Sequence, residues 1–97
     1  MTAFLLDDEG WYILKDPAAD LEYEIEWIDW LLGDTLLTST FTVEAGLTKG
    51  VTTNSAVTAK VWLSGGTLGG TYHVTNAITT VGARGDNREF RVVIVNR

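Results

Sequence analysis

Cysteine is absent from this 97-residue chain, and histidine occurs once, at His73. Without thiols there is no disulfide framework, iron–sulfur cluster, thiol nucleophile or cysteine-ligated zinc. A lone imidazole lacks the companions that a zinc site or a Ser-His-Asp centre requires. The expectation is therefore no catalytic residue, no metal and no cofactor. Long apolar runs are also missing, since a membrane-spanning helix needs roughly 20 such residues in succession. The opening stretch has no basic start, and its apolar part ends at Leu6 against Asp7, Asp8 and Glu9, unlike a secretory leader. These features predict a soluble protein that no classical signal exports. Basic residues are scarce: seven Lys and Arg face 13 Asp and Glu, for a net charge of −6. Nucleic acid and anionic membranes demand a basic footprint, so neither is expected as a partner. The Gly65 to Gly70 run is not followed by Lys-Ser or Lys-Thr and is no phosphate cradle. No Asp-x-Asp-x-Asp-Gly calcium loop occurs, although a site assembled from separate loops stays open.

What the chain does have is alternation. Leu21-Glu22-Tyr23-Glu24-Ile25-Glu26-Trp27 switches between apolar and acidic without a break. A strand turns successive side chains to opposite faces, so Leu21, Tyr23, Ile25 and Trp27 line one side and the glutamates the other. Parity fails at Ile28, which predicts a bulge or strand end near Ile28-Asp29 and sets Trp30 out of register with Trp27. Upstream, Trp11 to Leu14 reads as a short strand and Asp16 to Asp20 as a proline turn. Downstream, Leu37, Ser39, Phe41 and Val43 share a face opposite Thr38, Thr40 and Thr42. A weak strand follows from about Leu47 to Thr53, then a tight turn at Asn54-Ser55. Val57, Ala59, Val61 and Leu63 form the next inward set, opposite Thr58, Lys60 and Trp62. Tyr72, Val74 and Ile78 alternate against His73, Thr75 and Thr79, Gly82 to Asn87 is a turn, and Phe90, Val92 and Ile94 close the pattern. About seven short strands at roughly 8–12-residue spacing predict an all-β sandwich over residues 11–97. Residues 1–10 read as an amino-terminal arm with little local pattern to pack against.

Taken in order, these segments resemble a family of small bacteriophage and prophage proteins described as fiber–tail adaptor-like. Lys15-Asp16-Pro17 precedes the acidic strand, followed by Trp27-Ile28-Asp29-Trp30-Leu31 and Gly33-Asp34-Thr35-Leu36. Ser39-Thr40-Phe41-Thr42-Val43 and Ala45-Gly46-Leu47-Thr48 come next. Ala59-Lys60-Val61-Trp62-Leu63-Ser64-Gly65-Gly66-Thr67 is the most recognisable run, continued by Gly70-Thr71-Tyr72, Thr75-Asn76, Ile78-Thr79-Thr80 and Gly82 to Arg91. Phe41 stands where the family has tryptophan and Glu44 where proline is common; both concern local packing. The resemblance covers nearly everything after residue 10. It implies an immunoglobulin-like sandwich and a non-enzymatic place in the virion, at the tail or its fiber attachment, for a protein made in the bacterial host cytoplasm. It supplies no catalytic residues.

The charge is unevenly spread. Residues 1–34 hold ten of the 13 acids and only Lys15 among the seven bases. Such a split suits contact with a basic partner, or head-to-tail contact between copies in a ring; acids solvating a sheet face is the plainer reading. The glutamates of the acidic strand stand about 7 Å apart along one open face, a poor setting for a glycosidase carboxylate pair with one raised pKa. Arg84-Gly85-Asp86 spells an adhesion tripeptide, yet Gly85-Asp86-Asn87 is equally a turn. Tyr72, after Gly70-Thr71, resembles a tyrosine corner, a structural role. Four tryptophans are more than a core this size requires, and exposed tryptophan is enriched at protein–protein hot spots. Trp30 and Trp62 fall outside the inward register unless the amino-terminal segment covers them. The expected interface residues are Trp11, Glu22, Glu24, Glu26, Trp30, Trp62, Arg84, Arg88 and Arg91, with other tail, neck or fiber proteins as partners. Two rival readings use the same surface: a capsid decoration or head–tail joining protein, and a carbohydrate-binding module stacking sugar on Trp62 and Trp30.

Overall fold

A computed structural model describes residues 4–96, so Met1 to Ala3 of the arm, and Arg97, lie outside the described residues. The elements run β1 (Leu5–Asp7), β2 (Gly10–Lys15), β3 (Leu21–Glu26), α1 (Ile28–Leu31), β4 (Leu36–Val43), β5 (Leu47–Asn54), β6 (Thr58–Gly65), β7 (Thr71–Thr80) and β8 (Gly85–Ile94). They form a five-stranded sheet in the order β1-β2-β8-β7-β4 and a three-stranded sheet in the order β3-β6-β5. All pairings are antiparallel except β2 with β8. Lettering β3 to β8 as B to G gives sheets BED and GFC, the order of an immunoglobulin-like sandwich. The first-strand place is taken by β2, which pairs in parallel with the last strand and leaves β3 as the outer strand of its sheet. Within the 1–10 segment, Leu5–Asp7 pairs with β2 as an eighth strand, and Phe4 packs edge-on against the Phe90 ring.

The alternation in the sequence becomes the core. Tyr23 and Ile25 from β3, Ala59, Val61 and Leu63 from β6, Val74 and Ile78 from β7, and Phe90, Val92 and Ile94 from β8 are all buried between the sheets. Each fully buried side chain of this size contributes about 1.5–3 kcal/mol of transfer free energy, so these strands hold the sandwich together. The parity break at Ile28 is a strand end. The Trp27 amide donates to the Val57 carbonyl at 2.8 Å, and the Trp30 and Leu31 amides return to the Trp27 carbonyl at 3.0 Å, making the single turn α1. Leu32, at φ 51°, and Gly33, at φ 92°, reverse the chain. Leu37 departs from expectation. The β4–β7 register shifts between Leu36 and Thr38, so Leu36 turns inward and Leu37 bulges out, 62% exposed.

At the opposite end, the Tyr72 hydroxyl accepts the Thr67 amide at 3.0 Å, five residues upstream. That contact is the tyrosine corner the sequence suggested. Gly46, at φ 104°, closes over it; a Cβ there would stand 2.7 Å from the Tyr72 ring. Lys15 is buried, and its ammonium donates to the Gly65 carbonyl at 2.8 Å and the Asp16 carbonyl at 2.9 Å. Burial pushes its pKa below the ordinary lysine value. Lys15 thus joins the end of β2 to the end of β6, across the two sheets.

Candidate functional site

The two outer faces differ in chemistry. On the five-stranded sheet, Thr38 lies beside Thr79, Thr40 beside Ala77 and Thr42 beside Thr75. Thr75 and Ala77 in turn face Glu89 and Asn87. This face is largely neutral. On the three-stranded sheet, Glu22 stands opposite Trp62, Glu24 opposite Lys60 and Glu26 opposite Thr58. Trp62 is 38% exposed, and β5 runs close beside it: a Cβ on Gly50 would be 3.2 Å from the Trp62 Cβ. Beside this face, between the outer strands of the two sheets, lies a groove of about 710 Å³. Phe4, Leu5, Ile13 and Leu21 give it an apolar side, and Trp62, Glu22, Glu24 and Lys60 a mixed one.

The arginines are occupied within the chain. Arg84 bonds the Asp34 carboxylate at 3.2 Å and the Leu31 carbonyl, with its guanidinium 4.5 Å from the Trp30 ring centre. Arg88 donates to the Glu26 carbonyl at 2.9 Å and lies 4.2 Å over the Trp27 ring. Arg91 pairs with Asp7 and, at 3.3 Å, with Glu9, and sits 5.3 Å from the Tyr12 ring centre. Hydrogen bonding from Arg91 lowers the Asp7 pKa and raises that of Arg91. Asp34 falls from 3.8 to about 2 because the Thr80 hydroxyl, the Thr35 and Gly82 amides and Arg84 all donate to its carboxylate, against the opposing effect of burial.

Lys49 donates to the Phe41 carbonyl at 3.1 Å, Lys60 pairs with Glu24 at 3.9 Å, and His73 bonds Glu44 at 2.9 Å. Among the described residues, then, every Lys and Arg is engaged inside its own chain. Asp8, Asp20, Glu22, Glu26 and Asp29 take part in no ion pair there. The unneutralised surface charge is acidic, and much of it lies on or beside β3.

The expected interface residues thus separate into three places. Glu22, Glu24, Glu26 and Trp62 share the outer face of the three-stranded sheet. Trp30, Arg84 and Arg88 form a compact cluster at the α1 end. There the Trp27 and Trp30 rings meet edge-on at 5.4 Å. Trp11 pairs with Leu6 on the β1–β2 hairpin, where both are exposed, and Arg91 holds that hairpin through Asp7 and Glu9. The adhesion tripeptide is dismantled by the fold, since Arg84 is bound to Asp34 and Trp30. Three buried polar residues, Lys15, Asn76 and Thr80, are not among the residues singled out from the sequence. Asn76 accepts the Trp27 indole N–H at 2.9 Å and donates to the Ser39 hydroxyl at 2.9 Å. Parity alone marks all three, because Lys15 follows Ile13, and Asn76 and Thr80 continue the inward positions of Val74 and Ile78.

Against known protein families, residues 15–93 match the one described as podophage GP4 fiber-tail adaptor protein gp77. No curated protein matches the chain.

Proposed function

The chain belongs to the podophage GP4 fiber-tail adaptor protein gp77 family, and on that premise we propose that it is a non-enzymatic virion component joining fiber and tail proteins by protein–protein contacts. The observation that carries the reading to particular residues is the uncompensated acid of the three-stranded sheet around exposed Trp62. A patch with an aromatic centre and a charged rim has the anatomy of a protein interface. Its counter-charge comes from the partner, because the described bases of this chain are already bound. In a ring of copies around the tail axis, neighbours would be held by apolar and backbone contacts, with Arg84, Arg88 and Arg91 retained inside each subunit.

The deciding experiment is immunogold electron microscopy of particles of the encoding phage, after mass spectrometry has established that the chain is present. Label at the tail or fiber base is expected. Label spread over the head would move the protein to capsid decoration or head–tail joining. Absence from purified particles would end the virion reading. A second reading, sugar binding, is favoured by one feature, the exposed Trp62 ring beside Glu22 and the groove. A glycan array that stays blank with the native chain removes it.

A further inference from the structure

Three times this chain places an arginine over an aromatic ring and ties it to an acceptor of its own. Arg84 covers Trp30 and binds Asp34; Arg91 lies near Tyr12 and binds Asp7; Arg88 covers Trp27 and binds the Glu26 carbonyl. Trp62 is an exposed ring with carboxylates beside it and no arginine over it. Glu22 is its direct cross-strand neighbour and Glu24 lies on the diagonal. Among the described residues the three guanidinium stacks fall on other rings. The one base on this face, Lys60, is turned to Glu24. The groove that Trp62 lines also has Leu5 and Leu21 in its wall, an apolar bed for a methylene stem.

We propose that this groove receives one arginine side chain of a partner virion protein, its guanidinium flat on the Trp62 indole and its N–H fork on Glu22. The stem lies along Leu5 and Leu21. The inference rests on the adaptor reading, which supplies the partner. Arginine is favoured over lysine because its planar, weakly hydrated cation stacks on an indole and bonds a carboxylate in the same pose. A strongly hydrated ammonium gives up more solvation for fewer oriented bonds. Among the described residues, each arginine of a second copy is already held by an oxygen of its own chain, and the adaptor reading supplies a different chain as the donor. A neutral sugar stacked on Trp62 would leave the Glu22 charge uncompensated.

The test is a titration of the intact ¹⁵N-labelled chain with acetyl-Ala-Arg-Ala-amide, with its lysine and norleucine counterparts, and with maltohexaose, read at the assigned indole N–H signals. The arginine peptide is expected to give a saturable shift at Trp62, to leave buried Trp27 unmoved, and to bind more tightly than the lysine peptide. Glu22→Gln should weaken it about 2–5-fold, while Asp29→Asn, at the far end of the domain, should not. The unmoved Trp27 indole reports that each variant remains folded. An unmoved Trp62, equal response to all three peptides, or equal weakening by Asp29→Asn would overturn the site. A shift with maltohexaose and none with the arginine peptide would replace it with a glycan platform. Particle labelling is read separately, so a tail-located chain with an unmoved Trp62 overturns the arginine site and leaves the adaptor reading standing.

Discussion

Trp27 and Trp62 both belong to alternating segments, yet their surroundings are opposite. Trp27 is fully buried, its indole N–H held by Asn76, its ring edge-on to Trp30 and under Arg88. Every group around it has a partner in the chain, and Arg84 extends the cluster to Asp34 and the β7–β8 turn. Trp62 lies over an open sheet face, beside glutamates whose charge the chain leaves only partly balanced. The first region uses aromatic and charged side chains to join α1 to the β7–β8 hairpin. The second has the same side-chain types exposed, and under the proposed function a partner completes them. An aromatic–acid cluster thus acquires its role from whether the counter-charge is internal.

Substitutions should separate the two regions most sharply at Trp27. Trp27→Ala is expected to cost about 3–5 kcal/mol through cavity formation, and also orphans the Asn76 side chain. Urea unfolding would read it, and a loss under 1 kcal/mol would show that the cluster is not a centre of stability. Asn76→Leu should cost less, about 1–3 kcal/mol, because it leaves the buried indole N–H without an acceptor. A neutral or stabilising outcome in the same unfolding experiment would mean that apolar packing replaces the hydrogen bond.

Acid should act on the same region. The folded pKa of Asp34, about 2, lies below its ordinary 3.8. Its contribution is therefore complete above the ordinary value and is lost as pH falls through the folded one. Stability followed by circular dichroism should decline across that window in the native chain. In Asp34→Asn it should be lower at neutral pH and flatter below pH 4; parallel curves would dissociate Asp34 from acid sensitivity.

The smallest effect on stability should come from the other region. Trp62→Leu and the combined Glu22→Gln, Glu24→Gln, Glu26→Gln change should stay within about 0.5–1 kcal/mol, as surface substitutions do. Their effect should appear instead as reduced incorporation into particles, and incorporation of the native chain should fall as salt rises. Salt-insensitive assembly with full tolerance of the glutamine changes would break the comparison.

Much of this was legible in the chain. Strict alternation from Leu21 to Trp27 placed three glutamates outside and Ile25 inside, because period two is a local property of the backbone. The inward sets of β6, β7 and β8 followed on the same ground, as did the outward place of Trp62. Leu37 was misplaced because a single extra residue in a strand inverts parity, and the bulge depends on how β4 meets β7. Asn76 and Lys15 were visible as polar residues on inward positions, but the acceptors and donors that make burial tolerable lie up to 50 residues away. The arginines illustrate the same limit: the sequence offered Arg84, Arg88 and Arg91 as surface cations, and the structure pairs each with a ring and an oxygen from another segment.

By itself, then, the sequence determined the all-β character, the faces of its strands, the one-sided charge and the resemblance that led to the family, all of which depend on residue type and near-neighbour spacing. Only the tertiary structure decided which charges of the described residues are paired within the chain and which are not. That depends on distances between residues far apart in the chain, such as Arg91 and Asp7, and on which aromatic ring each guanidinium reaches first.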